Sequence, residues 1–273
     1  MFETMQKIAI ALMVGAAAVG AVRDWSRDVP SVTADYYTQT RTGGEIEARY
    51  TAMGEYDVTY AEYPARDVLI KRYEIWYPSD LAQEDREWPV VVMANGTGVP
   101  ATRYAPVFRH LASWGFVVIG NEMQNSWSGE ASAGALDLLA ELNEDPSSPF
   151  FHKLDLDNVG SAGHSQGAIG AINAVTSQPN GDRYKALYLA STPSSLYSST
   201  LEWAYDPALI DIPCFMAAGT GLLDAGEAGS PEVAQDAQEV SISPLWSQEE
   251  NYSLIPAEVP KLRARRTGAD HAE

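Results

Sequence analysis

The sequence is poor in cysteine and in basic residues, and each shortage excludes a class of protein. One cysteine, Cys214, occurs in 273 residues, so no intramolecular disulfide can form. It lies in the apolar run 212–218, which predicts a buried and unreactive thiol. The net charge of −19, from 18 basic and 37 acidic residues, argues against a nucleic-acid partner, because phosphate binding needs a basic surface.

Histidine is scarce as well. The four histidines are His110, His152, His164 and His271, and no pair has the His-x-x-x-His spacing of a metal site. We therefore expect no metal and no cofactor. His110 and His152 are interpreted as ordinary surface or packing residues. Repeats and low-complexity tracts are also lacking, the length suits one large core, and we expect a monomer.

One long apolar run occurs, near the N-terminus. Residues 8–22 are 15 residues without a charge, and roughly 20 are needed to span a bilayer. The run predicts a signal peptide within residues 1–22, with small residues at 19–21 as the cleavage site. A retained signal anchor and an N-terminal helix packed on the domain are the alternatives. Either membrane-related interpretation places the remaining chain outside the cytoplasm, secreted, periplasmic or anchored facing outward, and membrane contact is expected only through this segment.

The rest of the chain divides into a polar lead-in, residues 23–53, and a domain, residues 54–273. Alternating apolar residues predict two antiparallel strands at 56–63 and 68–77, joined by a turn. Further strands are predicted at 88–94, 116–120, up to 163, 186–190, 213–218 and 259–264, with helices at 101–114, at 129–143 and after residue 165. This alternation predicts an α/β fold with a mainly parallel sheet, helices on both faces and an antiparallel N-terminal edge. In such sheets the functional site lies beyond the carboxyl ends of the strands.

One strand of this series ends in Gly163-His164-Ser165-Gln166-Gly167. A Gly-x-Ser-x-Gly motif between a strand and a helix of small residues places its serine on a tight, strained turn with the hydroxyl exposed. The glycines fit because side chains there would collide with the strand or the helix. The motif predicts a nucleophile at Ser165, and a plain turn serine is the alternative.

A serine hydroxyl is a weak nucleophile at neutral pH and needs a base, which in turn needs an orienting group. His271 follows the last predicted strand and is the candidate base. Asp224 follows the preceding strand and is the candidate acid. The order Ser165, Asp224, His271 is the one expected for this architecture. Glu227 and Asp236 lie in the same loop as Asp224 and are alternatives to it.

The oxyanion of an acyl-transfer reaction needs two preorganised backbone N–H donors. We expect one at Gln166, where the amides at the start of a helix lack intrahelical partners. The other should come from the loop after the first buried strand, with Thr97 as first candidate and Gly96 as second. Gly96 and His164 are also expected to line the substrate site. Trp127, in another strand-end loop, either lines the acyl site or packs on the surface.

Together these motifs resemble the α/β-hydrolase superfamily, nearest to the dienelactone-hydrolase-like and cutinase-like esterases, the branch that includes polyester hydrolases and chlorophyllase-like proteins. The likeness covers residues 54–273, and the order of the motifs is more specific than any one of them. The residues that carry it are Val90–Gly98, Leu111–Val118, Gly163–Gly167, Pro213–Met216 and Arg265–His271. The resemblance implies an α/β-hydrolase fold and the roles of nucleophile, acid and base for Ser165, Asp224 and His271.

The sequence differs from that family in three respects, and each difference changes what we expect. Polyester-active members have a larger aromatic residue at the position of Thr97 and a methionine at that of Gln166, so polymer hydrolysis is not implied. The disulfides of secreted cutinases are impossible, because Cys214 has no partner. The family continues past the histidine into a closing helix; we expect this C-terminal helix to be missing and one face of the sheet to be exposed.

The sequence therefore predicts a serine carboxylesterase that uses a catalytic triad and an acyl-enzyme on a small-molecule or polymeric ester. A peptidase or an acyltransferase would use the same residues. A non-catalytic binding protein with a hydrolase fold is the rival from another class.

Overall fold

The structure is a computed structural model that describes residues 33–226, 230, 232–233 and 241–271. The apolar run at 8–22, where a signal peptide is predicted, lies outside these ranges, and so do Glu227 and Asp236. Across the described ranges, every helix is too short or too polar to cross a membrane.

In the described part of the chain, eight strands form a single sheet. They are β1 (Val58–Pro64), β2 (Arg72–Pro78), β3 (Trp88–Ala94), β4 (Val117–Asn121), β5 (Leu154–His164), β6 (Tyr184–Ala190), β7 (Cys214–Gly219) and β8 (Lys261–Arg266). The α-helices of the described residues are α1 (Glu45–Thr51), α2 (Ala105–Ser113), α3 (Glu130–Glu144), α4 (Gln166–Thr176), α5 (Ser195–Thr200) and α6 (Leu245–Leu254).

The strands are ordered β1-β2-β4-β3-β5-β6-β7-β8 across the sheet. Strand β2 runs antiparallel to both β1 and β4, and all other neighbours are parallel. The predicted α/β class, the mainly parallel sheet and its antiparallel N-terminal edge are therefore confirmed. Because the parallel strands share one direction, the loops after β3, β4, β5, β6, β7 and β8 all leave from the same edge of the sheet.

Strand β3 is apolar along its length because both of its faces are covered. Val90 and Val92 pack in a core that contains Leu136 of α3. Val91 lies between them and packs with Phe108 of α2 in a different core. Successive side chains of a strand point to opposite faces, so a continuously apolar strand needs a layer on each side.

Strand β2 begins at Arg72, later than its predicted start at Val68. The Asp67 carboxylate accepts the N–H of Leu69 at 2.7 Å, and the Asp67 carbonyl accepts that of Lys71 at 3.0 Å. An aspartate that bonds the backbone two residues further on favours a turn over a strand. Val68 and Leu69 are therefore exposed in the turn and do not pair.

The lead-in contains helix α1, where the sequence analysis predicts no element. The Tyr36 hydroxyl lies 2.8 Å from His110 Nδ1, and His110 Nε2 lies 3.0 Å from the Tyr50 carbonyl oxygen. His110 therefore connects the lead-in to α2.

One face of the sheet carries a strip of exposed apolar side chains. Tyr188 of β6, Phe215 of β7 and Leu262 of β8 stand side by side in register. They are 42%, 37% and 61% exposed.

Candidate active site

The turn between β5 and α4 holds Ser165 in a conformation that few residues with a side chain adopt. Its φ is 57° and its ψ is −127°, outside the ordinary regions for a residue with a Cβ atom. A Cβ atom on Gly163 would lie 2.0 Å from the carbonyl oxygen of Gly167, and one on Gly167 would lie 2.1 Å from that of Ala94. Glycine is therefore required at both positions, and the close packing fixes the strained serine between them.

His271 meets Ser165 at the carboxyl edge of the sheet, although 106 positions separate them in the chain. The His271 Nε2 atom lies 2.8 Å from Ser165 Oγ. The main chain of His271 is held by Asp270, whose Oδ1 accepts the N–H of His271 at 2.8 Å and that of Leu223 at 3.0 Å. The loop after β8 is thereby anchored to the turn after β7.

The other ring nitrogen of His271 faces a buried carboxylate. Asp224 lies in a short 3₁₀ turn after β7 and is fully buried. Its Oδ1 lies 2.6 Å from His271 Nδ1, so Nδ1 carries the proton and Nε2 can accept the hydrogen of Ser165. Burial raises the pKa of Asp224, but hydrogen bonds from His271, Ser191 and Gly219 outweigh burial and lower the pKa overall. Asp224 is therefore ionised at neutral pH.

Ser191 is a residue of this site that the sequence analysis misses. Its hydroxyl donates to Asp224 Oδ2 at 2.6 Å, and the Gly219 N–H donates to the same oxygen at 3.1 Å. Ser191 directly follows β6, so its position at a strand end is the sequence signal that could have identified it.

The loop after β3 is fixed by its own hydrogen bonds. The side-chain amide of Asn95 donates to the carbonyl of Asn121, at the end of β4, and to that of Met123 in the following loop. The Gly98 N–H donates to the carbonyl of Gln124 in the same loop at 2.8 Å. The Gly96 N–H donates to Tyr104 Oη at 3.0 Å. Gly96 is therefore not available as an oxyanion donor. Within the described part of the chain, the Thr97 N–H has no hydrogen-bond acceptor.

Gln166 is the first residue of α4, where backbone amides have no intrahelical acceptor. Its side chain forms two hydrogen bonds with the loop after β4. Oε1 accepts the N–H of Ser126 at 2.8 Å, and Nε2 donates to Asn125 Oδ1 at 2.8 Å. Trp127 belongs to the same loop, is half-buried, and accepts a hydrogen bond from Asn173 at its carbonyl. Gln166 therefore attaches the loop of Trp127 to the start of α4.

His164 immediately precedes Ser165 and is bonded at both ring nitrogens. Its Nδ1 lies 2.9 Å from Tyr104 Oη, and its Nε2 lies 2.9 Å from the carbonyl oxygen of His271. Burial, followed by the nearby His271, lowers the pKa of His164 to about 4. The ring is therefore neutral at physiological pH. Both ring nitrogens of His164 therefore have hydrogen-bond partners, and neither partner is Ser165 Oγ.

Comparison with models of known protein families finds no match for this chain, and comparison with curated proteins finds no significant similarity. The site is accordingly interpreted from its geometry. Among the described residues, no three His, Cys, Asp or Glu side chains are placed to hold a metal ion. A serine bonded to a histidine that is bonded to a buried carboxylate can pass its proton to the imidazole as its oxygen attacks an electrophile.

Proposed function

We propose that this protein is a serine hydrolase that cleaves carboxylic esters through an acyl-enzyme. The observation that carries the proposal is the continuous contact of Ser165 Oγ with His271 Nε2 at 2.8 Å and of His271 Nδ1 with Asp224 Oδ1 at 2.6 Å. A surface serine has no need of a strained backbone, two flanking glycines and a buried carboxylate behind its histidine partner. Together these features favour a nucleophile.

We also propose that the sheet is an α/β-hydrolase fold. The three side chains follow β5, β7 and β8, in the chain order Ser165, Asp224, His271. That order, the tight turn at Ser165 and the antiparallel start of the sheet support the assignment.

In the proposed reaction, Ser165 Oγ attacks the ester carbonyl while His271 Nε2 takes its proton. Ionised Asp224 keeps Nδ1 of His271 protonated and stabilises the imidazolium that forms. The amides of Thr97 and Gln166 are the proposed donors to the oxyanion. His271 then protonates the leaving alcohol, and a water molecule, activated by the same histidine, releases the acid and restores Ser165.

A fluorophosphonate probe tests the nucleophile. The wild-type protein should form one adduct, located at Ser165 by mass spectrometry, and Ser165→Ala should form none. Ser161→Ala is the matched control, because it removes a buried serine hydroxyl from the same strand and should leave labelling intact. Folded wild-type protein without an adduct at Ser165 would overturn the proposal.

The role of the histidine is tested separately by ester hydrolysis. We expect His271→Ala to slow hydrolysis of p-nitrophenyl butyrate on the order of ten-thousandfold. Hydrolysis that persists unchanged in this variant would reject the triad. Comparison of p-nitrophenyl butyrate with a p-nitroanilide of the same acid distinguishes an esterase from a peptidase, and the proposal expects the ester to be strongly preferred.

We further propose that the domain acts outside the cytoplasm. The support is the charge-free apolar run at residues 8–22. N-terminal sequencing of the protein produced in its native cell should find a chain that starts at Val22. An intact Met1 would favour a retained anchor.

A further inference from the structure

A line of three hydrogen bonds joins the loop after β3 to the main chain of the proposed base. The Gly96 N–H donates to Tyr104 Oη at 3.0 Å. Tyr104 Oη lies 2.9 Å from His164 Nδ1, and His164 Nε2 lies 2.9 Å from the His271 carbonyl oxygen. We call Tyr104 and His164, with these three bonds, the Tyr104–His164 bridge.

The chemistry of the partners fixes the direction of every bond in this bridge. The His271 carbonyl oxygen can only accept, so His164 carries a proton on Nε2. A neutral imidazole then accepts at Nδ1, so the Tyr104 hydroxyl donates to it. The lone pairs of the same hydroxyl receive the Gly96 N–H. The donor and the acceptor of each of the three hydrogen bonds are therefore fixed.

The surroundings of the bridge keep it in that arrangement. Burial raises the pKa of Tyr104, so its hydroxyl stays protonated. Burial lowers the pKa of His164 to about 4, so its ring stays neutral and Nδ1 remains an acceptor. The Tyr104 ring stacks on Phe108 with 6.1 Å between the ring centroids. A Cβ atom on Gly96 would lie 3.0 Å from His164 Nδ1 and 3.2 Å from Tyr104 Oη, so a side chain at this position would press against the bridge.

We propose that Tyr104 and His164 are positioning residues, which hold the His271 main chain and the Gly96–Thr97 amide in register with Ser165. This inference rests on the proposed hydrolase function. His271 and Thr97 lie in loops from different strands, and both must be placed relative to one serine. A rigid link between these loops fixes the base and the oxyanion donor together, and catalysis is sensitive to displacements of about 1 Å.

Single substitutions separate the two ends of the bridge. Tyr104→Phe keeps the ring but removes the hydroxyl and its bonds to Gly96 and His164. We expect it to lower kcat only about threefold to tenfold, because the bond of His164 to the His271 carbonyl remains. His164→Phe removes both bonds of the imidazole, and we expect a loss of about tenfold to a hundredfold. KM should change little, because the bridge is expected to act on the transition state rather than on substrate binding.

A conservative variant and a double variant distinguish the loss of the bridge from a general loss of packing. His164→Gln keeps an N–H that can reach the His271 carbonyl, so it should recover part of the kcat lost in His164→Phe. The double variant Tyr104→Phe/His164→Phe should be no slower than His164→Phe, because both changes break one bridge. The matched control is Tyr205→Phe, which removes the hydroxyl that donates to Asn251 at 2.8 Å and should keep wild-type kcat.

Ester hydrolysis and fluorophosphonate labelling are measured on each variant after its fold has been checked by thermal unfolding. Partial rescue by His164→Gln together with a non-additive double variant supports the bridge. Wild-type kcat in Tyr104→Phe and in His164→Gln, with Ser165 labelled in the wild-type protein, overturns the bridge and leaves the hydrolase proposal standing. An unlabelled Ser165 in folded wild-type protein overturns both. If His164→Phe does not fold, Tyr104→Phe and His164→Gln decide the matter.

Discussion

The Ser191 hydroxyl donates to Oδ2 of Asp224 at 2.6 Å, on the oxygen opposite the one that faces His271. The carboxylate is therefore held on Oδ1 by His271 and on Oδ2 by Ser191 and the Gly219 N–H. Ser191 has a φ of 49°, in the left-handed region that is unfavourable for a residue with a Cβ atom. Ser191 therefore combines a strained backbone with a hydroxyl that donates to Asp224.

Substitutions at Ser191 should separate its hydroxyl from its backbone. We expect Ser191→Ala and Ser191→Gly to lower kcat equally, about threefold to tenfold, because both remove the bond to Asp224. Ser191→Gly should be the more stable by about 1 kcal/mol, since glycine adopts a positive φ without strain. Ester kinetics and urea unfolding measure the two effects. Wild-type kcat in either variant would mean that Asp224 does not need Ser191.

The strained turn at Ser165 predicts that glycine at this position stabilises the fold more than alanine does. Ser165→Gly and Ser165→Ala both lose the bond to His271, but only glycine relaxes a residue with a φ of 57° and a ψ of −127°. We expect Ser165→Gly to exceed Ser165→Ala by about 1–2 kcal/mol in the free energy of unfolding. Equal stability of the two variants, by thermal or urea unfolding, would show that the turn is unstrained.

Two glycines of β5 offer a matched pair for the packing of the turn. A Cβ atom on Gly163 would lie 2.0 Å from the Gly167 carbonyl oxygen, whereas the nearest atom to one on Gly160 is 3.8 Å away. Gly163→Ala should destabilise the protein by about 3 kcal/mol or more, because backbone must move. Gly160→Ala should change the stability by less than about 1 kcal/mol. Similar urea midpoints for the two variants would contradict the packing described for this turn.

Glu74 is a buried acid whose titration should affect stability. It is 3% exposed on β2, and its carboxylate lies 3.5 Å from Arg72. Burial, and then the negative charge of Glu122, raise its pKa from 4.5 to about 7. The fold thus favours protonated Glu74. The resulting stability is complete below pH 4.5 and is lost as the pH rises through 7.

Glu74→Gln mimics the protonated form and should remove this dependence. Above pH 7 we expect the variant to be more stable than wild type by on the order of 2–3 kcal/mol, and near pH 4 to be equal to it. Stability is measured against pH for both proteins, and the wild-type curve is subtracted from that of the variant. The subtraction removes the contribution of His164, whose lowered pKa makes stability rise with pH in both proteins. Glu62→Gln is the control: it contacts the same Arg72 at 3.7 Å, but its side chain is 44% exposed, so it should change stability by less than about 1 kcal/mol at any pH. A Glu74→Gln difference that does not vary with pH would refute the assignment.

The sheet could be predicted from the sequence because its inner strands are covered on both faces, and their apolar runs are therefore continuous. The same signal fails for α6. Its buried residues include Gln248 and Asn251, and Gln248 Nε2 donates to the carbonyl of Ala264 in β8 at 3.0 Å. A helix that packs through polar side chains has no apolar stripe for the sequence to reveal.

The candidate site likewise contains residues that the sequence predicts and contacts that it does not. Ser165, Asp224 and His271 could be proposed from the sequence because each follows a predicted strand, and the parallel strands bring their ends together. Ser191 also follows a predicted strand, but its pairing with Asp224 could not be predicted. That pairing, like the one between Tyr104 and His164, depends on which strands are neighbours and how the side chains turn. The Ser191–Asp224 contact spans 33 positions and the Tyr104–His164 contact spans 60. No local pattern encodes such pairs.

Strand β8 forms one edge of the sheet and pairs, among the described strands, with β7 alone. The loop that follows it carries His271, whereas Ser165 follows the interior strand β5. Peripheral elements open at lower free energy than central ones. Under mild denaturant, detachment of this edge would separate His271, the proposed base, from Ser165, the proposed nucleophile, while the centre of the sheet stays intact. Loss of activity should therefore precede the loss of secondary structure. Only molecules in which β8 is still paired with β7 would then react with a fluorophosphonate.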